Sequence, residues 1–90
     1  MEVRAHIIVK GLVQGVGFRY FVYSRAKAAK TTGFVRNLAS GDVEIEVQGE
    51  RAGVEVLIGE VKAGPRSARV TDMRIEWKPP LQDSTAFEIH

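Results

Sequence analysis

Apolar residues recur at every second position near the start of the chain, at Val3, Ala5, Ile7 and Val9. A period of two is typical of a strand with one buried face, so residues of about 2–10 are predicted to form the first strand. Four further strands are predicted over residues 33–38, 43–48, 73–77 and 87–89. Residues 39–42 are predicted to be the turn of a hairpin between the second and third strands.

Apolar residues recur at helical spacing in two other segments. The first runs from Phe18 to about Lys30 and predicts helix one. The second covers residues 54–61 and predicts helix two, although Gly53 and Gly59 weaken it.

The predicted elements follow the order β-α-β-β-α-β, with one short extra strand at the end. Two helices can cover only one face of an antiparallel or mixed sheet of this size, so the class is α+β and the expected fold is a ferredoxin-like α/β sandwich. Residues 1–90 fit a single domain. The first two strands, joined by a crossover helix, are expected to form a parallel pair and to end at the same edge of the sheet.

A glycine-rich segment, Gly11 to Arg19, connects the first strand to helix one. Glycines let the backbone turn so that several N–H groups point into one hollow, and the start of a helix adds unpaired N–H donors. Arg19 adds a charged, planar set of donors that suits a phosphate group. The alternative is a tight strand-to-helix turn with an exposed arginine.

Two better-known glycine motifs do not fit this segment. A Walker A loop has Lys followed by Ser or Thr after its last glycine, whereas Phe18 and Arg19 follow Gly17. A dinucleotide-binding fingerprint has a third glycine where this chain has Tyr20. The loop is therefore predicted to be neither an ATP site nor a dinucleotide site.

The whole segment, read with Arg36-Asn37, resembles the signature of the acylphosphatase family. Further matching segments stand in that family's order and spacing: Gly33-Phe34-Val35-Arg36-Asn37-Leu38, Gly41-x-Val43-Glu44, Gly64-Pro65-Arg66-Ser67-Ala68-Arg69-Val70 and Phe87-Glu88-Ile89. The resemblance therefore covers nearly the whole chain. It implies hydrolysis of small acyl phosphates, such as acetyl phosphate, carbamoyl phosphate and 1,3-bisphosphoglycerate, to a carboxylate and inorganic phosphate.

The resemblance also assigns roles to individual residues. Arg19 and Asn37 are the implied catalytic residues, and Asn37 would hold the attacking water. The implied phosphate-binding residues are Val13, Gln14, Gly15, Val16, Gly17, Phe18 and Arg19. From its position alone, Asn37 would more simply begin the hairpin turn.

The expected chemistry needs no metal ion and no cofactor. The leaving carboxylate has a conjugate acid with a pKa of about 4, so no general acid is required. Asn37 is neutral and cannot act as a base, but its amide can hold water. His6 and His90 lack spaced ligand partners, which makes a metal site improbable.

Composition limits the other possibilities. The net charge is +2 with Lys and Arg spread along the chain, so nucleic-acid binding is not implied. There is no cysteine, and the charged start of the chain lacks the apolar stretch of a signal peptide. A cytoplasmic enzyme that does not bind membranes and acts as a monomer is expected.

Two alternatives stay open. The chain could be a non-catalytic ferredoxin-like module that binds anions or RNA, although it lacks the aromatic strand motif of RNA-recognition domains. It could also resemble the acyl-phosphate-handling domain that precedes hydrogenase-maturation carbamoyl transferases, which continue into cysteine-containing segments.

Several other polar and aromatic residues are expected to be structural. Glu44 and Glu46 are expected on a solvated strand face, and Tyr20, Tyr23 and Trp77 at or near the core. Arg36 would either add positive potential near the site or be a solvated strand residue.

The end of helix one departs from the family pattern. Many members have Leu-Gly-Leu there, whereas this chain has Ala29-Lys30-Thr31. Helices commonly end in a left-handed residue, which glycine adopts without strain. Unless the helix runs on to Gly33, Lys30 is predicted to be a strained cap.

Overall fold

Five strands and two helices follow one another along the chain in the predicted order, β-α-β-β-α-β-β. The computed structural model describes residues 1–90. Its strands are β1 (Glu2–Leu12), β2 (Thr32–Asn37), β3 (Val43–Glu50), β4 (Arg69–Lys78) and β5 (Phe87–Ile89). Its helices are α1 (Phe18–Ala28) and α2 (Arg51–Ala63), and neither is long and apolar enough to cross a membrane.

β3 lies between β1 and β2 in a single sheet of order β4-β1-β3-β2-β5. It pairs antiparallel with both neighbours, so that Ile45 lies opposite Ile7 of β1 and Val35 of β2. β1 and β2 therefore run in the same direction but are not hydrogen-bonded to each other. The predicted parallel pair of these two strands is wrong, because the hairpin returns β3 into the space between them. The parallel pair in the sheet is β2 with β5.

Both helices pack on one face of the sheet, as predicted. The core is a single cluster of fifteen buried apolar residues. Ala5, Ile7 and Val9 contribute from β1 at alternate positions. The others are Val13, Phe18, Val22, Ala26, Val35, Val43, Ile45, Val47, Val54, Leu57, Val61 and Phe87. This burial of apolar area on one face is the main force that stabilises the sandwich.

The opposite face of the sheet carries ion pairs instead of a second layer of helices. Glu46 is buried and lies between Arg4, whose Nε is 3.7 Å from Oε2, and Lys78, whose Nζ is 3.2 Å from Oε1. Glu44 pairs with His6 at 2.7 Å and with Arg36. The expectation of a simply solvated acidic face is therefore wrong for Glu46, because charged neighbours on adjacent strands cover it.

The strand ends differ from the predicted ends where the sheet is most exposed. β1 continues to Leu12 and β4 begins at Arg69, and these two residues pair with each other after a bulge at Lys10 and Gly11. The early residues of β4 are largely exposed and therefore show no clean apolar alternation. Pairing with a neighbouring strand extends both elements beyond what periodicity predicts.

Gly53 allows the two helices to approach closely. A Cβ at this position would lie 2.9 Å from the carbonyl oxygen of Ala29, at the end of α1. Glycine lowers helix propensity here, as predicted, but it also removes the atom that would collide with the neighbouring helix. Gly53 lies inside α2, which begins at Arg51, three residues before the predicted start.

Lys30 adopts the left-handed conformation predicted for it, with φ of 58°. Its N–H donates to the Lys27 carbonyl, and the Thr31 N–H donates to the Ala26 carbonyl, both at 3.0 Å. These two bonds define a Schellman motif, in which the position of Lys30 usually carries glycine. The helix ends before Gly33, and Lys30 is the non-glycine residue that bears the strain.

Lys30→Gly should therefore raise the free energy of unfolding. We expect a gain of several tenths to about 1 kcal/mol, after allowing for the greater unfolded-state entropy of glycine. Chemical denaturation measures this directly. Lys30→Ala is the matched control, because it removes the side chain but keeps the strained Cβ, and it should change stability much less. A lower denaturation midpoint in Lys30→Gly, or an equal gain in Lys30→Ala, would contradict the account.

Candidate active site

The loop between β1 and α1 turns on two left-handed glycines. Gly15 and Gly17 have φ of 72° and 76°, values that side chains other than glycine adopt only with strain. A Cβ added at either position would meet no atom within 4 Å. The backbone conformation, and not a lack of space, is therefore what requires glycine here. The turn leads directly into the first residue of α1.

The N-terminus of α1 carries unpaired donors and no compensating acid. Gly17 caps the helix without a side-chain hydrogen bond, and the first turn contains no acidic residue. The amides of Phe18, Arg19 and Tyr20 precede the first N–H that finds a carbonyl within the helix, which is Phe21 bonded to Gly17 at 3.1 Å. With the positive end of the helix dipole, they suit an anion.

A cavity of about 240 Å³ lies beside this helix end. Five of the seven predicted phosphate-binding residues line it, together with Asn37 and two residues that were not predicted. The complete lining is Val13, Gly15, Gly17, Phe18, Arg19, Tyr20, Asn37 and Ile89. The structure thus places Arg19 and Asn37 around one space. Gln14 and Val16 belong to the same loop but do not line the cavity.

Arg19 is oriented by the last strand. Its Nη1 donates to the main-chain oxygen of His90 at 2.8 Å, immediately after β5. A guanidinium has five N–H donors, so others stay available to a ligand. Sequence reasoning missed this contribution of β5, because a main-chain acceptor leaves no trace in residue type.

Asn37 is the last residue of β2 and is exposed. The hydrogen bonds that hold the site involve the side chains of Gln14, Arg19 and Ser67 and leave the Asn37 amide free. Because β1 and β2 run in the same direction, Asn37 reaches the edge at which the glycine loop begins.

Gln14 ties the glycine loop to the turn that follows Asn37. Its Nε2 donates to the carbonyl oxygens of Leu38 and Asp42, each at 2.8 Å. Lys10 adds a second link, since its Nζ lies 2.7 Å from the carboxylate of Asp42. The hydrogen bond from Lys10 lowers the pKa of Asp42. Gln14 therefore contacts the main chain of the site and positions Asn37 relative to the loop.

A serine supports the other side of the loop. Ser67, in the connection between α2 and β4, donates from Oγ to the Val16 carbonyl at 2.7 Å. Neither Gln14 nor Ser67 could be assigned these roles from spacing, since each bonds a carbonyl far away in the sequence.

The remaining charged candidates lie outside the cavity. Arg36 pairs with Glu44 on the opposite face of the sheet, so a large part of its charge is compensated there. His6 also contacts Glu44, and His90 contacts Glu88 at 3.0 Å. No group of three or more His, Cys, Asp or Glu side chains is arranged to hold a metal ion.

A second, larger cavity lies between α2 and β4. It measures about 320 Å³ and is lined by Ile58, Lys62, Val70, Thr71, Asp72, Met73 and Ile75. It contains neither a glycine loop nor a helix N-terminus, and its one cation is offset by Asp72. Of these two cavities, only the one at the start of α1 therefore has the geometry that suits a phosphoryl group.

The sandwich and its cavity define an α+β domain with a candidate anion site at the junction of β1 and α1. The family model of acylphosphatase matches residues 5–89. An acylphosphatase of Anaeromyxobacter dehalogenans is 48% identical over 88 residues, which cover 98% of this chain and 95% of that protein. The chain therefore belongs to the acylphosphatase family, which confirms the resemblance found in its motifs. It is accordingly an enzyme, a hydrolase of acyl phosphates.

Solved structures agree with this assignment. The crystal structure of acylphosphatase from Bacillus subtilis superposes with a TM-score of 0.94 at 38% identity and covers 98% of both chains. HypF from T. kodakarensis matches with a TM-score of 0.84 at 34% identity, over 100% of this chain but only 12% of that chain. The ferredoxin-like arrangement is confirmed, and the same domain fold also occurs inside a much longer protein.

Proposed function

We propose that the cavity at the start of α1 is the site of acyl-phosphate hydrolysis. The loop from Val13 to Phe18 and Arg19 bind the phosphoryl group, and Asn37 positions the attacking water. The observation that carries the proposal is that the first-turn amides, Arg19 and Asn37 all face one cavity of about 240 Å³. The amides and Arg19 come from the first turn of α1, and Asn37 comes from the end of β2.

Binding of the phosphoryl group rests on three sources of positive charge. The loop bends on Gly15 and Gly17, the helix supplies amides with the positive end of its dipole, and Arg19 supplies a formal charge. The guanidinium matches two phosphate oxygens at once. These donors are in place before substrate arrives, so they stabilise the charge of the transition state without reorganisation.

Asn37 holds the water on the β2 side of the cavity. Its neutral amide can donate and accept hydrogen bonds but cannot remove a proton. The hydrogen bonds of Gln14 to Leu38 and Asp42 fix the distance between this strand end and the phosphate loop. Such positioning lowers the entropic cost of bringing water into line with the scissile bond.

The reaction then needs no acid from the protein. The water oxygen forms a bond to phosphorus while the bond from phosphorus to the acyl oxygen breaks, and the bonding pair leaves on the carboxylate. One water proton passes to a phosphoryl oxygen, so the products are a carboxylate and dihydrogen phosphate. In a phosphate ester of an alcohol, the leaving group would instead be a far more basic alkoxide. The lining contains no carboxylic acid or histidine to protonate it, so phosphate esters should react poorly.

We further propose that the reaction uses no metal ion. Arg19 and the α1 N-terminus supply the positive charge that a metal would otherwise give. A single copy of the chain supplies the glycine loop, Arg19 and Asn37, so the proposed reaction requires no second copy and we propose a monomer as the working unit. We also propose that the enzyme acts in the cytoplasm.

Phosphate release from acetyl phosphate tests the proposed reaction most simply. We expect turnover in the presence of excess EDTA, no stimulation by added magnesium, and competitive inhibition by inorganic phosphate. Glycerol 3-phosphate is the control, and it should be hydrolysed far more slowly because its leaving group is a basic alkoxide. Loss of acetyl phosphate turnover in EDTA, restored by one metal ion, would overturn the mechanism.

Arg19→Ala should abolish measurable turnover and weaken inhibition by inorganic phosphate. Removing one preorganised charge-stabilising donor costs about 3 kcal/mol or more in the transition state, which is at least about a hundredfold in rate. Arg19→Lys should also fail, since an ammonium cannot replace the planar fork. Arg36→Ala removes a nearby positive charge outside the cavity and should retain activity. Near-normal kcat/KM in Arg19→Lys would show that fork geometry is not required.

Asn37→Ala should lose kcat by orders of magnitude while inorganic phosphate still binds. Its amide is assigned to water and makes no contact with the bound anion, so the inhibition constant of phosphate should change little. Ser40→Ala, in the turn that follows Asn37, is the matched control and should behave like the wild type. A variant that loses phosphate affinity as severely as Arg19→Ala, and recovers its rate at high substrate concentration, would show that Asn37 binds substrate instead.

A further inference from the structure

The outer side of β4 is a long strand edge without a neighbour. β4 has ten residues and pairs only with β1, whereas β5, at the other edge of the sheet, has three. Alternate residues of β4 therefore present main-chain N–H and C=O groups that no strand of the chain pairs with. Such an edge can accept a further strand by main-chain hydrogen bonding.

The side chains of β4 on the helix-bearing face are apolar and incompletely covered. Met73, Ile75 and Trp77 lie opposite core residues of β1, so they point to that face. Ile75 and Trp77 are nevertheless 41% and 43% exposed. The cavity of about 320 Å³ opens between α2 and the same strand. α2 thus leaves an apolar strip uncovered along the edge.

Tyr20, another large exposed side chain, belongs to a different surface. It is 69% exposed and lines the cavity at the start of α1. The expectation that Tyr20 lies at or near the core is therefore wrong, because it stands outside the buried stripe of α1 that Phe18, Val22 and Ala26 form.

The opposite face of β4 carries charges that alternate in sign. Asp72, Arg74, Glu76 and Lys78 follow one another at every second position. The ion pairs on this face of the sheet include Lys78 with Glu46 but involve neither Arg74 nor Glu76. Two opposite charges on the edge strand are thus left without an ion-pair partner in the chain.

This charge pattern is complementary to itself when two copies of β4 run antiparallel. If Ile75 of one copy lies opposite Ile75 of the other, Asp72 lies opposite Lys78 and Arg74 lies opposite Glu76. Every cross-strand charge pair is then attractive, which stabilises strand pairing. The same alignment works in both directions, as a two-fold axis through Ile75 requires.

Other alignments of the two strands are unfavourable. A slip of one residue places charged side chains opposite apolar ones, and a slip of two places Arg74 opposite Arg74 or Glu76 opposite Glu76. On the apolar face, the alignment about Ile75 places Met73 opposite Trp77. One register therefore satisfies both faces of the strand.

We propose that the outer edge of β4 is the interface of a symmetric homodimer, in which two copies of residues 72–78 pair antiparallel about Ile75. The two sheets would join into one, and each copy would cover the apolar strip of the other, which removes Ile75 and Trp77 from water. No residue of β4 lines the cavity at the start of α1. The proposal is therefore independent of the proposed function, and each copy stays a complete working unit for catalysis.

Sedimentation velocity over protein concentrations from about 1 µM to 1 mM tests the pairing. The wild type should shift from monomer to dimer with concentration. Arg74→Glu and Glu76→Arg each place like charges opposite one another, so each variant alone should stay monomeric. An equimolar mixture of the two should dimerise, because every charge pair of the mixed dimer is again attractive. Arg66→Glu makes the same change of net charge outside β4 and should dimerise like the wild type.

Ile75→Cys tests the register. The chain has no cysteine of its own, and directly opposite residues of an antiparallel pair have Cα atoms about 4.5–5.5 Å apart, a distance that a disulfide spans. Oxidation should therefore link Ile75→Cys into a covalent dimer, whereas Val56→Cys, exposed on α2, should not be linked.

A wild type that stays monomeric at the highest concentration would overturn the dimer. Failure of the mixed charge variants to associate, or of Ile75→Cys to cross-link, would overturn this interface. Each of these results would leave the proposed hydrolysis of acyl phosphates unaffected.

Discussion

The position of β3 between β1 and β2 is the constraint on which the site depends. Because β3 pairs antiparallel with both, the two outer strands run in the same direction and end at the same edge. The glycine loop leaves β1 there, and Asn37 closes β2 there. Arg19 and Asn37, eighteen positions apart in sequence, thereby reach one cavity. The hydrogen bonds of Gln14 to the turn between β2 and β3 then fix the remaining distance.

The site is built mainly from main-chain groups. An α-helix that starts without a side-chain cap or a first-turn acid gives up two stabilising interactions, each worth about 1 kcal/mol or less. The same omission leaves its amides and dipole free for an anion. Both ends of α1 have a residue in the left-handed conformation. Gly17 adopts it without strain at the N-terminus, whereas Lys30 is strained at the C-terminus, far from the proposed phosphate site.

The sequence predicted all seven elements in order, and periodicity marked the buried face where an element contacts the core, as in β1 and α1. In β4 it did not: Ile75 and Trp77 are 41% and 43% exposed, so the expectation of Trp77 at or near the core is wrong, because β4 is an edge strand and only its early residues pack against the core. The ends of β1 and β4 were not predictable, since pairing between exposed residues extends them without an apolar signal. In the site, the glycine loop could be recognised from the sequence because its left-handed backbone positions require glycine. The role of Asn37 came only from family resemblance. The contributions of Gln14, Ser67 and Ile89 depend on distant main-chain contacts or on strand pairing, which residue spacing does not encode.

The central claim is that the loop amides and the first turn of α1, with Arg19, hold the phosphoryl group. Titration of the ¹⁵N-labelled protein with inorganic phosphate, followed by amide chemical shifts, tests this directly. The account predicts that the largest shifts fall on Gly15 to Tyr20 and saturate at the concentration that inhibits turnover. Shifts confined to the cavity between α2 and β4, with the α1 N-terminus unaffected, would contradict it.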